Sequence, residues 1–222
     1  MRVWRRLAEG STHIFDVGAF SGVYSLIAAR ANRKADVYAL EPMERTFWRL
    51  VDNVRANRMS RSVEAFALAA SDEDGRAVLN VFRGRRVLRS GSSLVAKDDR
   101  TVVRKQPVET VRLDTFVRRQ GIPEVDLVKL DVEQSELRVL KGMAGLLDEH
   151  KPSILVEVFS GEVLREITDL LYPYGYSFAV LDDLGQGAYV EDVGAHEQVR
   201  NVLFRVGAPE ELRAFLGSIA PL

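Results

Sequence analysis

The sequence contains no cysteine, which excludes disulfide bonds, thiolate metal sites and a cysteine nucleophile. Histidine is scarce as well, with only three in the chain. No stretch approaches the roughly 20 consecutive apolar residues that a membrane-spanning helix needs. The N-terminal segment "MRVWRRLAEG" carries charges but lacks the apolar core of a signal peptide. We therefore expect a cytoplasmic protein without a membrane span.

An excess of either charge is also missing, since 31 Lys and Arg residues face 32 Asp and Glu residues. The formal net charge of −1 gives no sign of the strongly basic surface with which many proteins hold nucleic acid. Hydrophobic residues make up 46% of the 222 residues, which is enough for the core of one α/β domain. We predict a single domain over residues 1–222.

Apolar runs of strand length recur along the chain, and helical patterns separate most of them. The runs are "HIFDV", "DVYAL", "VEAFAL", "VDLVKLDV", "SILVEV", "YSFAVL" and "RNVLFRV". This alternation predicts an α/β, Rossmann-like sheet of seven mainly parallel strands with helices on both faces. No helical pattern separates the last two runs, so we expect the last strand to be antiparallel. The arginine-rich region from about 72 to 120 is predicted to be a β-rich insertion between strands three and four.

The segment "IFDVGAFSG" predicts a strand that leads through a glycine turn into a helix. The turn contains Gly18 and Gly22, and Glu41 ends the next predicted strand 19 residues after Gly22. In open α/β sheets a cofactor binds at this position, with the acidic residue on its ribose. Both a dinucleotide and S-adenosylmethionine fit this pattern. Asp16 favours the second, because a carboxylate there repels a pyrophosphate and suits a sulfonium or an ammonium group.

A second motif, "KLDVEQSELRVLKG", covers residues 129–142. Together with the glycine turn and Glu41–Pro42, it resembles the FkbM-type methyltransferases, whose signature is K-[IL]-D-[VI]-E-G-x-E-x-x-V-L-x-G. The resemblance extends from about His13 to Val206 and implies the class I methyltransferase fold with S-adenosylmethionine as cofactor. Gln134 stands where the signature has glycine, a change that costs about 1 kcal/mol if the backbone there has a positive φ.

The resemblance also implies roles for individual residues. The turn after the first strand would lie at the methionine end of the cofactor, Glu41 at the ribose, and the turn around Ala69–Ser71 at the adenine. Asp131 would face the methionine moiety or the substrate. The implied cofactor-binding set is Asp16, Gly18, Ala19, Phe20, Ser21, Gly22, Glu41, Pro42, Ala69, Ser71 and Asp131.

Methyl transfer is an in-line displacement, so the protein mainly aligns the reactants. A hydroxyl nucleophile also gains from a general base or a metal ion. The candidate catalytic residues are Asp131, Glu133 and Glu157 at the carboxyl ends of strands, and His196 before the last strand. Asp131 and Glu157 are also candidate ligands for Mg²⁺. The resemblance implies O-methylation of a sugar, a glycan or a natural product.

Two alternatives stay open at this point. Arg83, Arg85, Arg86 and Arg89 in the insertion could hold the phosphates of RNA or of a nucleotide-sugar, and the first would indicate a nucleic-acid methyltransferase. Few aromatic residues for base stacking accompany them, and no N/D-P-P-Y/F motif is present. A non-catalytic cofactor-binding module is the second alternative, because Gln134 departs from the family signature and because the N-terminal segment before the first strand is short. A homo-oligomer is compatible with that N-terminus, since a partner subunit could cover the acceptor.

Overall fold

The computed structural model of the chain describes residues 1–82, 92–93, 102–181 and 201–219. The helices are α1 (Arg2–Glu9), α2 (Val23–Ala31), α3 (Glu44–Ala56), α4 (Leu113–Gln120), α5 (Glu136–Lys141), α6 (Ala144–Glu149), α7 (Gly161–Leu171) and α8 (Pro209–Gly217). The strands are β1 (His13–Val17), β2 (Asp36–Leu40), β3 (Val63–Phe66), β4 (Leu68–Ala70), β5 (Gly75–Phe82), β6 (Ser92–Ser93), β7 (Val102–Val111), β8 (Leu127–Leu130), β9 (Ser153–Glu157), β10 (Tyr176–Leu181) and β11 (Asn201–Val206). None of the helices in these ranges is long and apolar enough to cross a membrane.

The main sheet has seven strands in the order β3-β2-β1-β8-β9-β11-β10. Neighbouring strands are parallel, except that β11 runs antiparallel to both β9 and β10. The predicted seven-stranded sheet with an antiparallel last strand is therefore confirmed. The strand order reverses direction at β1 and β8, which places the glycine turn after β1 at the switch point of the sheet.

Each face of the main sheet is covered by its own group of helices. One core contains buried residues of α1, α2, α3 and α8, and we call this side the α1/α2 face. The other core contains buried residues of α4, α5, α6 and α7. Successive residues of β8 alternate between the two cores, because side chains of a strand point to opposite faces. Leu127 thus packs in the first core and Val128 in the second.

The insertion forms a second sheet with the strand order β4-β7-β5-β6. Its centre is the antiparallel pairing of β5 with β7, and α4 follows directly, so the predicted β-rich insertion is confirmed. The second sheet begins earlier than expected, at Leu68, because the apolar run "VEAFAL" divides at Ala67 between β3 and β4 of different sheets. The arginines at 83, 85, 86 and 89 lie outside the described residues.

The helical pattern from Leu137 to Leu147 predicts one helix, but the chain forms two, α5 and α6. The break falls at Gly142, where a Cβ atom would lie 1.9 Å from the carbonyl oxygen of Ser71. The chain can approach the start of the insertion this closely only without a side chain. Periodicity could not reveal this contact, since it joins segments that are distant in sequence.

Candidate active site

The glycine turn after β1 is shaped by two left-handed glycines, Gly18 with φ 79° and Gly22 with φ 82°. A Cβ atom on Gly18 would lie 1.9 Å from the carbonyl oxygen of Asp131, and one on Gly22 would lie 2.5 Å from Cδ1 of Leu50. Gly18 therefore lets the ends of β1 and β8 touch, and Gly22 lets α2 start against α3. Both contacts fix the turn independently of any ligand.

Glu41 holds the glycine turn against the start of α3. Its Oε2 accepts a hydrogen bond from the Phe20 N–H at 2.9 Å, and its Oε1 accepts from the Met43 N–H at 2.9 Å and the Thr46 hydroxyl at 2.7 Å. The residue is buried, and burial raises the pKa of the carboxyl. A carboxylate offers about four acceptor positions. The three bonds to the protein thus leave room for one further donor.

Asp16 lies beneath α2 and is almost completely buried. Its Oδ2 accepts hydrogen bonds from the Ser25 N–H at 2.8 Å and from the Ser25 hydroxyl at 2.5 Å. Burial raises the pKa of Asp16 to about 6, against the opposing effect of these hydrogen bonds. One oxygen of Asp16 is therefore occupied in fixing the start of α2.

Lys129 and Tyr24 form the polar centre of the α1/α2 face beside Asp16. The Lys129 side chain is fully buried in β8, and its Nζ donates to the Leu130 carbonyl at 3.0 Å. The same Nζ lies 5.0 Å from the centroid of the Tyr24 ring, a cation–π contact. The pKa of Tyr24 is raised to about 12 by burial and by the charges of Asp131, Glu157 and Asp16. Tyr24 is thus close enough to the carboxyl groups at this edge for their charges to act on its hydroxyl.

Asp131 and Glu157 form a carboxyl pair at the carboxyl edge of the sheet. Leu130 of β8 is in register with Val156 of β9, so the next residues, Asp131 and Glu157, lie side by side. Burial raises the pKa of Glu157 to about 7, and the charge of Asp131 and a hydrogen bond to it act in the same direction. Glu157 is therefore largely protonated below pH 7 and donates a hydrogen bond to Asp131.

Asn201 lies beside the carboxyl pair, on the next strand of the sheet. It is the first residue of β11 and pairs directly with Glu157 of β9 on one side and with Leu181 of β10 on the other. Its Oδ1 atom is buried and accepts no hydrogen bond from any residue the structure describes. An unpaired buried oxygen costs about 1–3 kcal/mol. Because of this cost, Asn201 is a candidate for a functional role.

The turn after Asp131 takes two consecutive left-handed residues, Glu133 with φ 49° and Gln134 with φ 76°. The Gln134 N–H donates to Oε1 of the buried Glu136 at 3.1 Å. Glu136 is thus bound to a backbone amide at the start of α5, which assigns it a structural role. The positive φ explains why the family signature has glycine at position 134.

Replacing Gln134 with glycine is expected to raise the free energy of unfolding by about 1 kcal/mol, because glycine adopts a positive φ without strain. Chemical denaturation would measure the change. Gln120→Gly is the matched control, since Gln120 ends α4 in a right-handed conformation. That variant should be less stable than the wild type, and an unchanged or lower stability for Gln134→Gly would contradict strain at this turn.

The remaining predicted residues lie around the same edge or outside the described part of the chain. The Ser21 carbonyl accepts from Asn53 at 2.8 Å, the Pro42 carbonyl accepts from Gln106 at 2.9 Å, and Ala19 is buried. Ala69 and Ser71 are buried at the start of the insertion, so the structure brings them next to β2 without exposing their side chains. His196 lies outside the described residues.

Sequence reasoning missed three polar residues of the site: Tyr24, Lys129 and Asn201. Lys129 gave a usable signal, as a lone charge between apolar residues of the segment "LVKL". Asn201 gave a weaker one, as the polar residue that opens "NVLF", and Tyr24 gave none.

The Mg²⁺ prediction gains no support, because no three His, Cys, Asp or Glu residues group as metal ligands in the ranges described.

Known proteins share this arrangement of motifs. A family model of the methyltransferase FkbM domain matches residues 16–178, which contain the glycine turn, Glu41 and the carboxyl pair. The chain belongs to the FkbM methyltransferase family. The resemblance inferred from the motifs is therefore confirmed.

Two curated relatives of this FkbM-family protein come from an archaeon and a bacterium. The hexuronic acid methyltransferase AglP of Haloferax volcanii is 29% identical over 164 residues, which cover 74% of this chain and 63% of AglP. The 31-O-demethyl-FK506 methyltransferase FkbM of Streptomyces tacrolimicus is 28% identical over 208 residues, which cover 82% of this chain and 79% of the relative. The chain thus spans less than two thirds of AglP.

Solved structures confirm the fold of this FkbM-family protein. Methyltransferase FkbM from Methylobacillus flagellatus superposes with a TM-score of 0.58 at 16% identity, over 88% of this chain and 44% of that one. An O-methyltransferase from Bacillus cereus, solved in complex with S-adenosylhomocysteine, gives a TM-score of 0.50 at 12% identity, over 93% and 80%. The seven-stranded sheet is therefore a class I methyltransferase sheet.

Proposed function

We propose that this protein transfers a methyl group from S-adenosylmethionine to a hydroxyl of a sugar, a glycan or a natural-product small molecule. The observation that carries the proposal is the carboxyl pair of Asp131 and Glu157, which lies directly beside Gly18 at the switch point of the sheet. A general base at this place suits a hydroxyl acceptor. The named activities of AglP and of the Streptomyces relative support the acceptor class.

The chemistry of the residues around the glycine turn fits S-adenosylmethionine. Asp16, Glu41 and Asp131 place three carboxyl groups at the ends of β1, β2 and β8. They would repel a pyrophosphate but attract the sulfonium and ammonium groups of this cofactor. The free acceptor position of Glu41 suits a ribose hydroxyl. When bound, the cofactor supplies a methyl group on a positively charged sulfur.

S-adenosylhomocysteine is expected to raise the melting temperature of the protein, since a ligand that binds only the folded state stabilises it by about 2.7 kcal/mol at 100 times Kd. NAD is the control ligand and should leave the melting temperature unchanged, because its pyrophosphate would be repelled by the carboxylate of Asp16. Differential scanning fluorimetry with both ligands measures the difference. A shift with NAD and none with S-adenosylhomocysteine would overturn the cofactor assignment.

The two carboxyl groups of the pair have different roles: one acts as the base and the other as a hydrogen-bond donor to it. We assign the role of base to Asp131, whose backbone lies directly against Gly18, and the role of its hydrogen-bond partner to Glu157, whose pKa is raised by burial and by the charge of Asp131. Glu157 holds the Asp131 carboxylate in one orientation toward the acceptor hydroxyl. The buried charge of Lys129, on the same face, compensates this negative charge and that of Asp16. The alignment of base and hydroxyl is thus built before the acceptor binds.

Product analysis tests the acceptor class and separates it from the two alternatives. The protein is incubated with isotope-labelled S-adenosylmethionine and a panel of hexuronic acids, methyl glycosides, hydroxylated macrolides and RNA, and products are identified by mass. We expect a methyl ether on one of the hydroxyl compounds. Label in RNA would favour a nucleic-acid methyltransferase, and cofactor binding without any product would favour a non-catalytic module. Chelation with EDTA in the same assay tests Mg²⁺ dependence.

A further inference from the structure

Phe159 is an exposed aromatic residue two positions after Glu157, at the carboxyl edge of the main sheet. Its side chain is 49% exposed, although the residue directly before it, Val158, is buried. Of the large apolar side chains that are exposed in the described ranges, Phe159 is the one that follows β8 or β9. An exposed ring leaves apolar surface in water, and a ligand with an apolar face gains free energy by covering it. Phe159 is therefore a candidate ligand contact.

Phe159 lies on the same side of the sheet as the carboxyl pair. Val156 and Val158 are both buried in the core that contains α4, α5, α6 and α7. Because successive residues of an extended chain point to opposite faces, Glu157 and Phe159 point to the α1/α2 face. The alternation along β8 places Asp131 on this face as well, since the residues on both sides of it pack in the opposite core. The Phe159 ring thus borders the two carboxyl groups.

The order of the strands shows on which side of Asp131 an acceptor has room. The residues that would hold the cofactor, the glycine turn and Glu41, follow β1 and β2. In the order β2-β1-β8-β9, Asp131 comes next to them and β9 lies beyond it. The acceptor oxygen must approach the methyl carbon from the side opposite the sulfur, because the displacement is in line. The body of the acceptor therefore extends over β9, the strand that Phe159 follows.

We infer, on the basis of the proposed function, that Phe159 binds the acceptor by ring stacking and selects pyranose sugars over acyclic polyols. In a pyranose the hydroxyls point outward, and the axial C–H groups form an apolar face of about the size of one aromatic ring. Stacking of this face on Phe159 leaves the hydroxyls at the ring edge free to reach Asp131. An acyclic polyol has no such face and loses more conformational freedom on binding. The preference for one acceptor over another thus depends on an apolar contact outside the carboxyl pair.

Binding of sugars to the full chain with S-adenosylhomocysteine tests this preference without turnover. The probes are the methyl pyranosides of glucose, galactose, mannose and glucuronic acid, each compared with the acyclic alditol or aldonate of the same configuration. Saturation-transfer NMR should give the lower Kd for the pyranoside. Phe159→Leu should weaken its binding about three- to tenfold, the size of one aromatic stacking contact, and Phe159→Trp should retain it. Tyr172→Leu is the matched control, since Tyr172 is an exposed ring just beyond the far end of α7 and should leave Kd unchanged.

Kinetics with S-adenosylmethionine and the tightest-binding pyranoside give the second readout. Phe159→Leu should raise KM for the acceptor about three- to tenfold, with kcat and the affinity for S-adenosylhomocysteine unchanged. Unchanged Kd and KM in Phe159→Leu, or equal binding of pyranosides and acyclic compounds, would overturn the inference even if the protein is an active methyltransferase. Pyranoside binding that depends on Phe159, in a protein that methylates no compound, would instead retain the inference and overturn the proposed function.

Discussion

Replacing Asp131 with asparagine is expected to lower the turnover of methyl transfer about a hundredfold or more, the usual scale for a lost general base. Asparagine keeps the shape of Asp131 and still accepts the Glu157 hydrogen bond through its Oδ1. It cannot take the proton of the acceptor hydroxyl. Cofactor affinity should change far less, because Glu41 and the glycine turn are intact. Steady-state kinetics and calorimetry with S-adenosylhomocysteine measure the two effects separately.

Asp126→Asn is the matched control for this variant. Asp126 precedes β8 at the opposite end of the strand, where its Oδ2 accepts from the backbone of Thr12 and His13 at 2.8 Å. Its replacement should lower stability without lowering kcat in the folded protein. Normal turnover in Asp131→Asn would show that the carboxyl group is structural, and the base would then have to be sought elsewhere, with Glu133, Glu157 and His196 as the remaining candidates.

The pH dependence separates the roles of the two carboxyl groups. The pKa of Glu157 is raised to about 7, so Glu157 loses its proton as the pH rises through 7 and the pair then carries two charges. Glu157→Gln resembles the protonated form at every pH. We expect the ratio of wild-type to Glu157→Gln turnover to fall above pH 7. A ratio that rises through pH 7 would assign the base to Glu157 and the supporting role to Asp131.

The architecture of this protein was largely predictable because it depends on local periodicity. Apolar runs separated by helical patterns give the parallel sheet, and the missing helix before "RNVLFRV" gives the antiparallel β11. The division of residues 136–149 into α5 and α6 was not predictable. It depends on the contact of Gly142 with Ser71, which are 71 residues apart in sequence. Close backbone approaches of this kind leave no trace in a local pattern.

The candidate site, like the fold, was only partly predictable from the sequence. The motifs identified Asp16, Glu41 and Asp131 as candidate site residues, because a carboxylate at the end of a strand interrupts an apolar run. Their partners were hidden in part because the backbone N–H groups of Ser25 and Phe20, which any residue type carries, are among the donors. Asn201 became recognisable only through its register with Glu157. The chemistry of a side chain can be read from sequence, whereas its neighbour across a sheet cannot.

Replacing Glu41 with glutamine is expected to weaken the binding of S-adenosylhomocysteine by about tenfold to a hundredfold, the equivalent of one hydrogen bond to a charged group. Both oxygens of Glu41 accept hydrogen bonds, from the Phe20 N–H on one side and from the Met43 N–H and the Thr46 hydroxyl on the other. The amide of glutamine turns one of these acceptors into a donor. The variant therefore loses charge at the ribose position and also the bond that holds the glycine turn.

Thr46→Val is the matched control, because it removes one partner of Glu41 while it keeps the carboxylate and the Phe20 bond. If the carboxylate itself contacts the ribose, Thr46→Val should bind S-adenosylhomocysteine much more tightly than Glu41→Gln at a comparable loss of thermal stability. Equal losses of affinity in the two variants would mean that Glu41 acts only by shaping the turn. Unchanged affinity in Glu41→Gln, with circular dichroism like that of the wild type, would remove Glu41 from the cofactor site altogether.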